Sequence, residues 1–198
     1  MGNEQKATLG AWIAAIGTVL AAIGSTPIES IPEDTLGAFN LIGNELQGTG
    51  NALQADAAEK VTLTKIGNQI QAIGNVTVVA GLVIDFRDVT KQELNIKGNL
   101  LQALGGSAAV GESYLQEHTL DELFSIYGNL LQVIGNSLQA ISGILELNGK
   151  DSGNINVVGS WIQAIGSIIS ALVQSKESSS NSEKPWLPTH RTEACLQN

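Results

Sequence analysis

The stretch YGNLLQVIGNSLQAISG, residues 127–143, sets a contradiction that any fold of this chain must resolve. Its leucines and isoleucines recur at steps of three and four, the signature of one face of an α-helix. A glycine or serine also falls at every seventh position, at Gly128, Gly135 and Ser142. Each glycine inside a helix costs about 1 kcal/mol relative to alanine. A chain that keeps incurring this cost needs the missing side chain.

The pattern recurs along the sequence. Related segments start at Gly10, Gly43, Gly67, Gly98, Gly128 and Gly159, with the consensus G-N-x-L-Q-A-I. On a heptad, Leu131 and Leu138 take position a, Ile134 and Ile141 take d, and Gly128 and Gly135 take e. Bulky residues fill g at Trp12, Leu100, Leu130, Trp161 and Ile168. The expected core face is therefore g-a-d-e, with glycine at its edge admitting a neighbouring helix. Gly10, Gly17, Gly43, Gly67, Gly74, Gly98, Gly128, Gly135, Gly159 and Gly166 are the expected helix-packing positions. Asn136, at f, is expected to face outward.

A β-solenoid with Gly-Asn turns is the rival reading. Leu, Gln and Ala favour helix over strand. Ser30 with Glu33, Thr90 with Glu93 and Thr119 with Glu122 also fit the S/T-x-x-E capping box of a helix start. The expected fold is all-α, with about six antiparallel helices near 4–24, 31–58, 62–84, 90–111, 119–147 and 153–174. Short connections make it a bundle or a set of stacked hairpins. Residues 1–174 form the helical domain, and the serine-rich stretch 175–198 is expected to be a disordered polar tail.

The repeated GNxLQAIGN motif resembles a poorly characterised family of repetitive proteins from spore-forming Gram-positive bacteria, over most of residues 5–174. The resemblance implies a bacterial source and a non-enzymatic role. It carries no activity, cofactor or site.

Charge excludes several functions. The net charge of −9 argues against a nucleic-acid partner, which would require clustered Lys and Arg. Asp, Glu, Lys and Arg make up only 15% of the chain and are absent from 7–24, 66–84, 98–111, 123–145 and 152–175. Membrane spans would explain such stretches. Recurrent Asn and Gln, and Lys and Arg on both sides of the six segments, weigh against spans and toward packing of neutral amide faces. The weak n-region, where Glu4 offsets Lys6, and the match of GAWIAAIG to the internal GSWIQAIG argue against a signal peptide.

Catalytic chemistry has no visible carrier. His118 and His190 lack metal-ligand spacing, Cys195 is alone, and no nucleophile or phosphate-loop motif occurs. The acidic junctions around Glu33 and Glu122 read as helix caps, and Trp12 and Trp161 read as packing residues. The expected function is non-enzymatic: self-association or binding of another protein through glycine and amide faces, without a cofactor, in the cytoplasm. The alternative is a membrane-active or integral membrane protein.

Overall fold

A computed structural model describes residues 1–116 and 119–182. It contains six helices: α1 (Asn3–Gly24), α2 (Glu33–Ala57), α3 (Leu63–Val83), α4 (Asp88–Tyr114), α5 (Leu120–Leu147) and α6 (Ile155–Ser182). No strand occurs among the described residues.

The helix ends follow local chemistry. Thr119 accepts a hydrogen bond from Glu122 N and caps α5 as expected. Thr62 does the same for α3 through Lys65 N. The other two anticipated boxes do not form. α2 starts directly after Pro32, whose φ of −57° already suits a helical first turn. α4 starts at Asp88, so Thr90 lies inside the helix. There the Asp88 carboxylate sits at the positive end of the helix dipole. Between α5 and α6, Gly149 turns the chain with φ of +69°, a value glycine adopts without steric cost.

α6 runs to Ser182, eight residues past the expected boundary at 174. Tertiary anchors hold the added turns. Lys176 Nζ lies 2.6 Å from Asp121 Oδ1 at the start of α5, and Ser175 Oγ accepts from Trp12 Nε1 at 2.8 Å. The rest of the expected tail, with Trp186, His190 and Cys195, lies outside the described residues, as does His118.

Successive helices are antiparallel and pack as three hairpins, α1–α2, α3–α4 and α5–α6. Backbone contacts also join α2 to α3, α4 to α5, and α6 back to α1. Each helix backbone therefore packs against its two neighbours in a closed ring, and among the described residues no two helix backbones pack across it. The chain forms a six-helix barrel.

The ring closes where α6 meets α1. Trp12 Nε1 donates to Ser175 Oγ at 2.8 Å, and Trp161 Nε1 donates to Thr26 Oγ1 at 3.0 Å. The two tryptophans latch opposite ends of one seam, with 37% and 40% of their surface exposed. Each hydrogen bond is only partly shielded, so Trp12→Phe and Trp161→Phe are each expected to cost about 0.5–1 kcal/mol. Unfolding of the single and double variants checks this. An unchanged double variant would show that the seam closes without the indole bonds.

Candidate functional site

The barrel turns the expected polarity inside out. Asn136, expected to face outward, is 1% exposed. Ile134 and Ile141, assigned to the core stripe, are 40% and 47% exposed. The same inversion holds around the ring. Ile16, Ile73, Leu104 and Ile165 at d face out, as do Val76, Leu100 and Leu130 at g. The largest side chains that are fully buried are Asn75, Asn136 and Ser142.

Helix geometry explains how one sequence supports either orientation. At about 100° per residue, positions run around the helix in the order a, e, b, f, c, g, d. The bulky residues occupy the arc g-d-a, and the small and amide residues occupy the opposite arc e-b-f-c. Here the second arc faces inward. Its e row contacts the hairpin partner, its f and c rows contact the next hairpin, and its b row faces the axis. The two contact rows lie roughly 130° apart on the helix, close to the interior angle of a hexagon.

The e row accounts for the glycines. Across the hairpins, Gly17 faces Gly43, Gly74 faces Gly98, Gly135 faces Gly159, and Gly128 faces Gly166. Gly10 faces Gly50 and Gly67 faces Gly105. All ten expected packing glycines lie in these seams. Gly50 and Gly105 complete the pairs, and their spacing seven residues after Gly43 and Gly98 was sufficient to find them. A Cβ built on Gly17 would lie 2.6 Å from Gly43 O, and one on Gly135 would lie 2.5 Å from Gly159 O. Neither is a distance that a carbon and a backbone oxygen sustain. Between hairpins the fit is looser and uses side chains, as where Gly143 meets Ile96 and Gly106 meets Val133.

The b row builds the axis. Gln163 Nε2 donates to Gln47 Oε1 at 2.8 Å and to Gln102 Oε1 at 3.2 Å. Gln163 Oε1 accepts from Gln139 Nε2 at 2.8 Å. One amide from α6 therefore joins α2, α4 and α5, using both of its N–H groups and its oxygen. The even-numbered helices bring equivalent residues to this level. Asn44 Nδ2 bonds Asn40 O in α2, Asn99 Nδ2 bonds Asn95 O in α4, and Ser160 Oγ bonds Asn156 O in α6. The interior is thus a hydrogen-bonded amide network, which a low-dielectric setting strengthens. It is incompletely paired: among the described residues neither the Nδ2 nor the Oδ1 atom of buried Asn136, nor Asn75 Oδ1, has a hydrogen-bond partner.

Two small cavities lie on the axis. One, about 40 Å³, is lined by Asn44, Gln47, Asn99, Gln102, Gln139 and Gln163 among others. The second, about 30 Å³, is lined by Asn51, Gln54, Asn68, Gln71, Asn129 and Gln132 among others. No group of three His, Cys, Asp or Glu side chains placed to hold a metal occurs among the described residues. The acidic junctions act locally. Glu112, near the end of α4, accepts from Thr64 N in the first turn of α3 and ties these two ends together.

Fold and interior together define a class: a closed antiparallel six-helix barrel, apolar outside and lined with amides within. The chain belongs to DUF6944, a family of unknown function, whose model matches residues 5–171. No curated protein and no solved structure matches it.

Proposed function

We propose that this protein is a non-enzymatic, membrane-embedded helical barrel whose outer belt faces lipid. The observation that carries the reading is the inverted burial: Leu, Ile, Val and Trp outside, Asn, Gln, Ser, Ala and Gly inside. In water, a monomer would expose apolar surface around its whole girth, far more than soluble monomers tolerate. In a bilayer the same belt meets hydrocarbon, and most of the amides are turned to the axis, with Gln69 on α3 an exception on the outer face.

Three further features support it. α1, α3, α5 and α6 are each long and apolar enough to cross a membrane. Even α3, the shortest helix, has 21 residues and reaches about 32 Å at 1.5 Å per residue, against a hydrocarbon core of about 30 Å. Asp, Glu, Lys and Arg concentrate at helix ends and connections.

Binding through the glycine and amide faces, the reading first favoured by the sequence, requires those faces to be free. The barrel uses them internally. If copies associate, they do so through the outer belt. One residue favours such a contact. Glu45 is exposed at the midpoint of α2, flanked on the outer face by Ile42 and Thr49. A carboxylate facing mid-bilayer lipid is costly, so a protein neighbour on α2 suits it better.

Membrane fractionation tests the proposal. The full chain is expected in the membrane pellet after carbonate washing. Trp12 and Trp161 fluorescence, read with Trp186 replaced by Phe, is expected to be quenched by lipids brominated on their acyl chains. Recovery as a soluble oligomer with unquenched tryptophans would favour assembly in water and sink the membrane reading.

A further inference from the structure

The axial cavities are not isolated. The 40 Å³ chamber shares Val78, Asn95, Gln139 and Asn156 with a vestibule of about 480 Å³ at the end where α3 meets α4 and α5 meets α6. The 30 Å³ chamber shares Gln54 and Asn68 with a vestibule of about 470 Å³ at the opposite end, beside Lys65 and Glu59. Vestibule, chamber, chamber and vestibule therefore follow one another along the barrel. The Gln47–Gln102–Gln163 contact lies on the same axis and crosses it by hydrogen bonds between three helices.

We infer that the barrel axis is a path for water that excludes ions, narrowed at the Gln163 amide. The inference rests on the membrane reading above, because a path of this kind separates two compartments only when the belt is sealed by lipid. Three properties of the axis carry it. The chambers are water-sized: a single water needs about 10–15 Å³ of such space, so each holds two or three. Their walls supply amides, which both donate and accept, so a water can exchange one partner for the next without losing a hydrogen bond. Among the described residues, no charged side chain lines either chamber, and the amide oxygens of Gln47, Gln102 and Gln163 already accept hydrogen bonds from neighbouring amides, so an ion at this crossing would have to break those bonds to replace its hydration shell. Along the axis, charges of the described residues line the two mouths, with Asp88, Lys91 and Glu146 at one end and Glu4, Glu59 and Lys65 at the other.

α1 provides the means to close the path. Its b positions carry Ala14 and Ala21, where α5 carries Gln132 and Gln139. Each alanine lines one chamber. A leucine there has roughly the volume of the glutamine found at the equivalent position, and it would fill the chamber with apolar atoms.

The test uses the full chain reconstituted in phosphatidylcholine vesicles. Insertion is read first, by quenching of Trp12 and Trp161 with brominated acyl chains. Water flux is then read by stopped-flow light scattering under a sucrose gradient, and potassium flux by the decay of an imposed potassium gradient. The expected result is water permeability above protein-free vesicles with no added potassium leak. Ala21→Leu and Ala14→Leu are expected to lose the protein-dependent water component, while Ala38→Leu on the outer face of α2 retains it. Variants are compared only at equal quenching, and the wild-type flux alone decides whether a path exists. Quenched, inserted protein with background water flux overturns the inference and leaves the membrane reading standing. Water and potassium crossing together overturns the exclusion of ions. Failure to insert overturns both.

Discussion

Alanine at Gly135 or Gly166 is expected to destabilise the barrel by about 1–3 kcal/mol, although alanine is the better helix former by about 1 kcal/mol. The added Cβ at Gly135 meets Gly159 O at 2.5 Å and Gln163 N at 2.7 Å; at Gly166 it meets Gly128 O at 2.5 Å. These are backbone atoms in a facing helix, so no rotamer change relieves the clash, and the hairpin must spread. Leucine at either site is expected to prevent the seam from closing. The same substitution should have the opposite sign elsewhere. A Cβ at Gly37 in α2 or Gly111 in α4 meets nothing within 4 Å. Gly37→Ala and Gly111→Ala are expected to stabilise by about 0.5–1 kcal/mol through reduced backbone entropy of the unfolded chain. Unfolding in mild detergent, followed by helical circular dichroism, compares the four variants. Stabilisation at Gly135 and Gly166 as well would remove close helix approach as the reason for the heptad glycines.

Gln163→Leu is expected to cost about 2–5 kcal/mol. The substitution conserves volume but strips a bond from Gln47, Gln102 and Gln139 at once. A buried polar group left unpaired costs about 1–3 kcal/mol, and the three costs combine less than additively because the amides re-pair with one another. Gln69→Leu provides the contrast. Gln69 is exposed on the outer face of α3, and there the change removes no network bond and is expected to be neutral or stabilising. Equal effects at Gln163 and Gln69 would mean that the axial network contributes nothing to holding the three hairpins together. Asn136 belongs to neither class. It is buried with both amide atoms unpaired among the described residues, so removing it exchanges lost packing for relief of a desolvated group.

Sequence periodicity and short connections determined the six helices and their antiparallel order, and the periodicity marked ten of the glycines that lie in the hairpin seams, missing Gly50 and Gly105. The reason is local. A period of 3.6 residues, breaks with turn residues and short connections act within one or two helices and need no knowledge of the rest. The glycines were legible for the same reason: position e borders both arcs of the helix, so it marks a seam whichever arc is buried. What the sequence did not decide was which arc faces in. Taking Ile134 and Ile141 as core and Asn136 as surface assumes that water lies outside, and that assumption is not written in the heptad. Only closure of the ring, with α6 returning to α1 through Trp12 and Trp161, gave the Gln163 amide three partners and sent the leucines outward. The end of α6 was hidden likewise, because Ser175 and Lys176 are polar residues whose helical state depends on Trp12 and Asp121, far away in the chain. A face is a property of one helix, whereas an inside requires all six.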